Sequence, residues 1–172
     1  MAEPDLVTRR GAIDILERGR VAIAGLLGRV PAAELDHPGV GGGEWSPKDL
    51  VGHLASWEER ALEALAAWGR GEPAPIDREF RSRTLTAINA EAVAAKAGLS
   101  YAEVRREARR THAELLRAIE AIPDGRWGSP ATPRGRRPLG HRLGQILVGT
   151  GPFAHAQAHV ESLRAFVDRF DS

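Results

Sequence analysis

The stretch Glu44-Trp45-Ser46-Pro47-Lys48-Asp49-Leu50-Val51-Gly52-His53-Leu54-Ala55-Ser56-Trp57-Glu58-Glu59 decides how this chain folds. Ser46 carries the hydroxyl that an N-cap uses to accept from a free first-turn amide, and Pro47 suits the first helical position because it has no amide to lose. Asp49 follows as a short-armed version of the capping box. At roughly 100° per helical residue, Leu50, Leu54, Trp57, Ala61 and Leu65 share one stripe, and His53 lies inside it. A histidine on a buried face needs a partner for its ring nitrogens.

A candidate partner lies far along the chain, in Phe153-Ala154-His155-Ala156-Gln157-Ala158-His159-Val160-Glu161-Ser162-Leu163. On a helix, i and i+4 spacing stacks His155 and His159 on one face, where both reach a single cation. Leu163, Phe166 and Phe170 continue that face, so it points inward. With His53 this makes three neutral nitrogen donors and leaves coordination positions open for water or substrate. The competing reading is three histidines hydrogen-bonded in the core or lying near the surface. Neither His-Glu-x-x-His nor a Gly-rich phosphate loop is present, which disfavours a zincin protease and a P-loop enzyme.

Trp45-Ser46-Pro47-Lys48-Asp49-Leu50-Val51-Gly52-His53-Leu54, a long gap and a late His-x-x-x-His resemble the DinB/YfiT superfamily of four-helix bundles, whose members typically bind a divalent metal through such a triad. The branch most similar is the ClbS/DfsB family, named for a colibactin self-resistance protein that hydrolyses a cyclopropane warhead. Trp57-Glu58, the polar segment Arg78 to Ala97 with Ile88-Asn89-Ala90, and Gly135-Arg136-Arg137-Pro138-Leu139-Gly140 carry that second likeness. The chain departs from the family at Gly149-Thr150-Gly151-Pro152, where a regular turn containing Asn and Tyr is expected, so no tyrosine role transfers there.

The resemblance implies an all-α fold, a DinB-like four-helix bundle with one extra short helix, spanning residues 1–172 as a single domain. It implies a divalent cation, zinc, nickel or manganese, on His53, His155 and His159, and a small-molecule substrate; homodimers are common among such bundles. The implied activity is a hydrolase acting on an electrophilic metabolite or toxin. Two readings stand beside it: a thiol-dependent transferase or isomerase, which here would have to borrow its sulfur nucleophile, and a non-catalytic binder that sequesters a metabolite.

Composition limits the alternatives. The chain has 172 residues, 27% charged and 42% hydrophobic, which fits a globular domain with a core and not a disordered segment. Its 24 basic and 23 acidic residues leave a net charge of +1, so no global field recruits nucleic acid or anionic membrane. Without cysteine there is no disulfide, thiolate metal site or cysteine nucleophile. Met1-Ala2-Glu3-Pro4-Asp5-Leu6 lacks the basic and apolar regions of a signal peptide, which points to the cytoplasm.

Along the chain, Asp5 to about Gly28 reads as a first helix ended by Val30-Pro31, and Ala32 to Gly43 as a mobile connection. The second helix runs from Pro47 to about Trp68. Ile76 to Ala97 reads as one shorter helix packed across the bundle. Ser100 with Glu103 makes a capping box for the third long helix, which continues to Ile122-Pro123. Asp124 to Gly140 is too rich in Gly, Pro and Arg to be helical, and the last helix runs from about Leu139 to Phe170 with a kink at Gly149 to Pro152.

Further site candidates follow from that placement. Glu58 is either a carboxylate that orients a ligand, or acts as general base, or a solvated helix residue. Trp45 and Trp57 serve as core packing or as apolar walls of a substrate cavity. Asn89 can hydrogen-bond substrate or a loop carbonyl. His37, His112 and His141 receive no role. The basic loop Arg134-Gly135-Arg136-Arg137 lacks the interleaved aromatics of a nucleic-acid surface and reads as a cover over the pocket mouth.

Overall fold

Thr8 opens the first helix: its side chain accepts from the Gly11 amide, and α1 (Arg9–Leu27) follows, burying Ile13, Leu16, Ile23 and Leu26. The computed structural model describes residues 6–171. The predicted helix start at Asp5 and the reading of Met1 to Asp5 lie outside them. Leu6 and Val7 precede the helix, and α1 stops at Gly28, ahead of Val30-Pro31. The connection expected to be mobile is folded. It contains the 3-10 turns Ala32–Glu34 and Val40–Gly42, the amides of Gly39 and Val40 donate to the Trp45 carbonyl, and Val40 is buried in the core.

α2 (Pro47–Gly69) is the axis of the molecule. Ser46 and Asp49 form the predicted reciprocal cap, with the Ser46 amide donating to Asp49 Oδ2 at 2.9 Å and the Asp49 amide to Ser46 Oγ at 3.2 Å. Every residue from Leu50 to Glu58 is buried, because neighbours cover this helix on all sides.

The segment predicted as one short helix is two, α3 (Pro75–Ser82) and α4 (Leu85–Ala95). Arg83 is extended, and the Thr84 hydroxyl accepts from the Ala87 amide, so a new cap starts inside the helical pattern of the sequence. Ile76 and Ile88 dock the pair across α2.

α5 (Tyr101–Glu120) begins at the predicted Ser100–Glu103 capping box and lays Val104, Ala108, Leu115 and Ile119 along α2. The stretch expected to hold no helix contains one turn, α6 (Asp124–Trp127), whose buried indole donates to the Val7 carbonyl at 2.8 Å.

The fourth bundle member is broken more deeply than a kink. α7 (Leu139–Ile146) ends at Leu147, and helical structure resumes only with the 3-10 turn Gln157–His159, α8 (Val160–Val167) and a last turn at Asp168–Phe170. Phe153 sits at φ 62°, a left-handed backbone rare for an aromatic residue, and its ring is buried and stacked on Trp127 at 5.8 Å. A side chain at Gly149 would lie 2.2 Å from the Ala154 carbonyl oxygen, so the chain crosses itself where only glycine fits. The fold is therefore an all-α, DinB-like bundle, with no strand and no helix long and apolar enough to cross a membrane among the described residues.

Candidate metal centre

His53 is buried in the second turn of α2, where Leu50 and Leu54 join one apolar cluster with Leu163 and Phe166 and Trp57 joins another with Trp68, Trp127 and Phe153. The break in the fourth member brings His155 and His159 to it. His53 Nε2 lies 3.1 Å from His155 Nε2, and His155 Nε2 lies 3.4 Å from His159 Nε2. One nitrogen from each ring falls within 4.8 Å of the other two.

The pairing of His155 with His159 does not arise from a continuous helix, as the spacing predicts. His155 precedes helical structure, and the two rings are held side by side by a tight turn in which the Ala158 amide donates to the His155 carbonyl and the His159 amide to the Ala156 carbonyl. Gln157, between them, donates from Nε2 to the Ile15 carbonyl of α1 at 2.8 Å. Gly19 permits that approach, since a side chain there would meet Gln157 Oε1 at 2.6 Å.

Burial keeps these imidazoles neutral. It is the largest cause pushing His53 down to about 2, with His155, His159 and Arg60 adding to it. Burial and then the neighbouring His159 push His155 down to about 4, and burial lowers His159. A neutral imidazole offers the lone pair that a metal requires. Nitrogens about 2.0–2.1 Å from a tetrahedral zinc stand about 3.3–3.4 Å apart; the 3.4 Å between His155 and His159 matches that edge, and the 3.1 Å between His53 and His155 is slightly shorter. The donor set fits a divalent transition metal, with His53, His155 and His159 as the residues that can hold it.

The three rings line a cavity of about 330 Å³. Trp45 lies over His53 at 4.6 Å between ring centres, and Trp57 stands edge-on to His155 at 6.1 Å. Asn89 does not reach a loop carbonyl: its Oδ1 accepts from the Trp57 indole at 2.9 Å, which fixes that wall. Phe80, Leu85 and Val148 also line the cavity and are all exposed, so its mouth is apolar. The loop Arg134 to Arg137 contributes none of the lining; it touches the rim only where Arg137 donates to Gln145 Oε1 at 3.3 Å.

Glu58 faces away from this cavity. It is buried, accepts from Arg20 at 2.9 Å on Oε2 and from His112 Nδ1 at 2.8 Å on Oε1, and is not a solvated helix residue. With both oxygens taken by donors it is poorly placed to remove a proton from water beside the histidines. His112, for which no role is expected from the sequence, is buried in this pair. Arg20 and His112 were missed although each carried a signal: Arg20 stands four residues after Leu16 and His112 four after Ala108, on core-facing stripes. Glu58 and His155 share a second, internal cavity of about 20 Å³, room for a single water molecule.

Comparison with solved structures agrees on the architecture. The crystal structure of an uncharacterised protein from Escherichia coli UTI89 superposes with a TM-score of 0.76 at 16% identity, covering 96% of this chain and 95% of that one. At that identity the likeness concerns the fold alone. No curated protein matches the chain. The DinB superfamily model matches residues 15–163, a span that runs from the first helix into the last and includes all three histidines, and on that match the chain belongs to the DinB superfamily.

Proposed function

We propose that the protein is a metal-dependent small-molecule enzyme of the ClbS/DfsB type, a hydrolase that adds water to an electrophilic metabolite or toxin. The observation that carries this reading is the convergence of three neutral imidazoles, one buried and two half-buried, in a cavity with an apolar mouth. Membership of the DinB superfamily supports it.

His53, His155 and His159 hold the cation, and imidazole donors suit zinc or nickel better than manganese. A divalent ion there supplies Lewis acidity toward water and substrate. Trp45 and Trp57 form the substrate walls, with Asn89 locking the Trp57 indole. Glu58 supports the site from behind, through the small cavity it shares with His155. Among the described residues the cavity lining includes no lysine, arginine, aspartate or glutamate, so substrates are recognised by its apolar surface, with Asn89 and Gln145 as polar groups.

The test is turnover of an activated electrophile, such as an epoxide, by zinc-loaded protein. Many equivalents of the hydrated product without added thiol are expected. Product formed only with a low-molecular-weight thiol would make it a transferase. Consumption that stops at one equivalent would make it a sequestering protein.

A further inference from the structure

A third cavity, of about 220 Å³, lies between α1, α2 and α5; it shares Arg20 and Ile23 with the small cavity beside Glu58 and no lining residue with the histidine cavity. Ile23, Leu27, Val51 and Ala108 give it an apolar floor, all but Leu27 buried. Its lining also carries three cations, Arg20 from α1 and the exposed Arg105 and Arg109 from successive turns of α5, with Tyr101 beside them.

The charges there are unbalanced. Arg20 is paired with Glu58 through one guanidinium nitrogen, but Arg105 and Arg109 have no carboxylate within ion-pair distance among the described residues. Like charges at i and i+4 repel on a helix, so this pair costs folding stability that a bound anion would offset. Burial pushes the Tyr101 phenol up while Arg105 and Arg109 oppose that shift, so the hydroxyl stays a hydrogen-bond donor at neutral pH, and all three side chains line the same cavity. Guanidinium groups and a phenol are all donors toward an anion, and a planar carboxylate matches the guanidinium fork.

We propose that this cavity is a binding site for a small amphipathic carboxylate, its head held by Arg105, Arg109 and Tyr101 and its apolar body seated on Ile23, Leu27, Val51 and Ala108. Neither half of the ligand suffices. A bare anion leaves the floor wet, and a neutral hydrocarbon leaves the guanidinia without a partner.

Isothermal titration of chelator-treated protein with octanoate tests this, with acetate, 1-octanol and inorganic phosphate as comparison ligands. Saturable one-to-one binding of octanoate is expected, at least about tenfold tighter than any of the three. The double variant Arg105→Ala/Arg109→Ala, altered only at exposed positions, should weaken octanoate at least about tenfold, and Tyr101→Phe should weaken it less. His53→Ala should leave it unchanged, which separates this cavity from the histidine site. Binding that is insensitive to the arginine replacements, lost with His53→Ala, or matched by phosphate would overturn the proposal, as would no saturation at millimolar octanoate.

Discussion

His53 is buried with its Nδ1 atom lacking a hydrogen-bond partner among the described residues, so a proton on the ring adds both an unsolvated charge and an unpaired donor. That explains why its protonation is so strongly opposed, and it sets a pH dependence. The unfolded chain takes up protons near the ordinary histidine value of 6.5, whereas folded His53 and His155 resist until about 2 and about 4. Below pH 6.5 the unfolded state therefore binds more protons. The stability of the metal-free protein is full above that pH and falls as the pH drops toward 4. Each of these two histidines should remove about 2 kcal/mol at pH 5. Urea unfolding at pH 7.5 and pH 5 checks this: His53→Leu should lose about 2 kcal/mol less than the wild type between the two. An equal loss in both proteins would show that His53 is not held neutral by burial.

At the scale of elements, the segment from Leu147 to Ala156 places His155, and its path depends on Gly149. Gly149→Ala puts a methyl against the Ala154 carbonyl oxygen, and the backbone carrying His155 has to move. A loss of about 2 kcal/mol in stability is expected, together with weaker metal uptake. Gly151→Ala, with open space around it, should change neither. Zinc titration and thermal melts of the two variants check this; wild-type affinity in Gly149→Ala would mean that the crossing does not position His155. This segment was the least legible part of the sequence. The starts of α2 and α5 were readable because Ser46 with Asp49 and Ser100 with Glu103 are local signals. The left-handed turn at Phe153 has no such signal. It is held by a distant partner, Trp127, and an aromatic residue there argues locally against that geometry. Thr84 failed to announce α4 for the opposite reason, since a threonine inside a charged helical pattern reads equally well as an interior residue.

At the scale of the whole molecule, two polar groupings join helices that the sequence shows only singly. Arg20, Glu58 and His112 come from α1, α2 and α5, one from each, and their pairing emerges only once those three helices are known to face each other. The histidines were legible earlier because the superfamily pattern links them, even though the helical stacking assumed for His155 and His159 is absent. Their convergence rests on the entire bundle: α2 carries His53, the broken fourth member carries the other two, and Gln157 ties that member to α1. The metal content of tag-free protein, measured by mass spectrometry for the wild type, His53→Ala and His155→Ala, tests this convergence most directly. Near-stoichiometric zinc or nickel in the wild type and its loss in both variants is the expected result. A wild type that stays empty after incubation with zinc, nickel and manganese would contradict it.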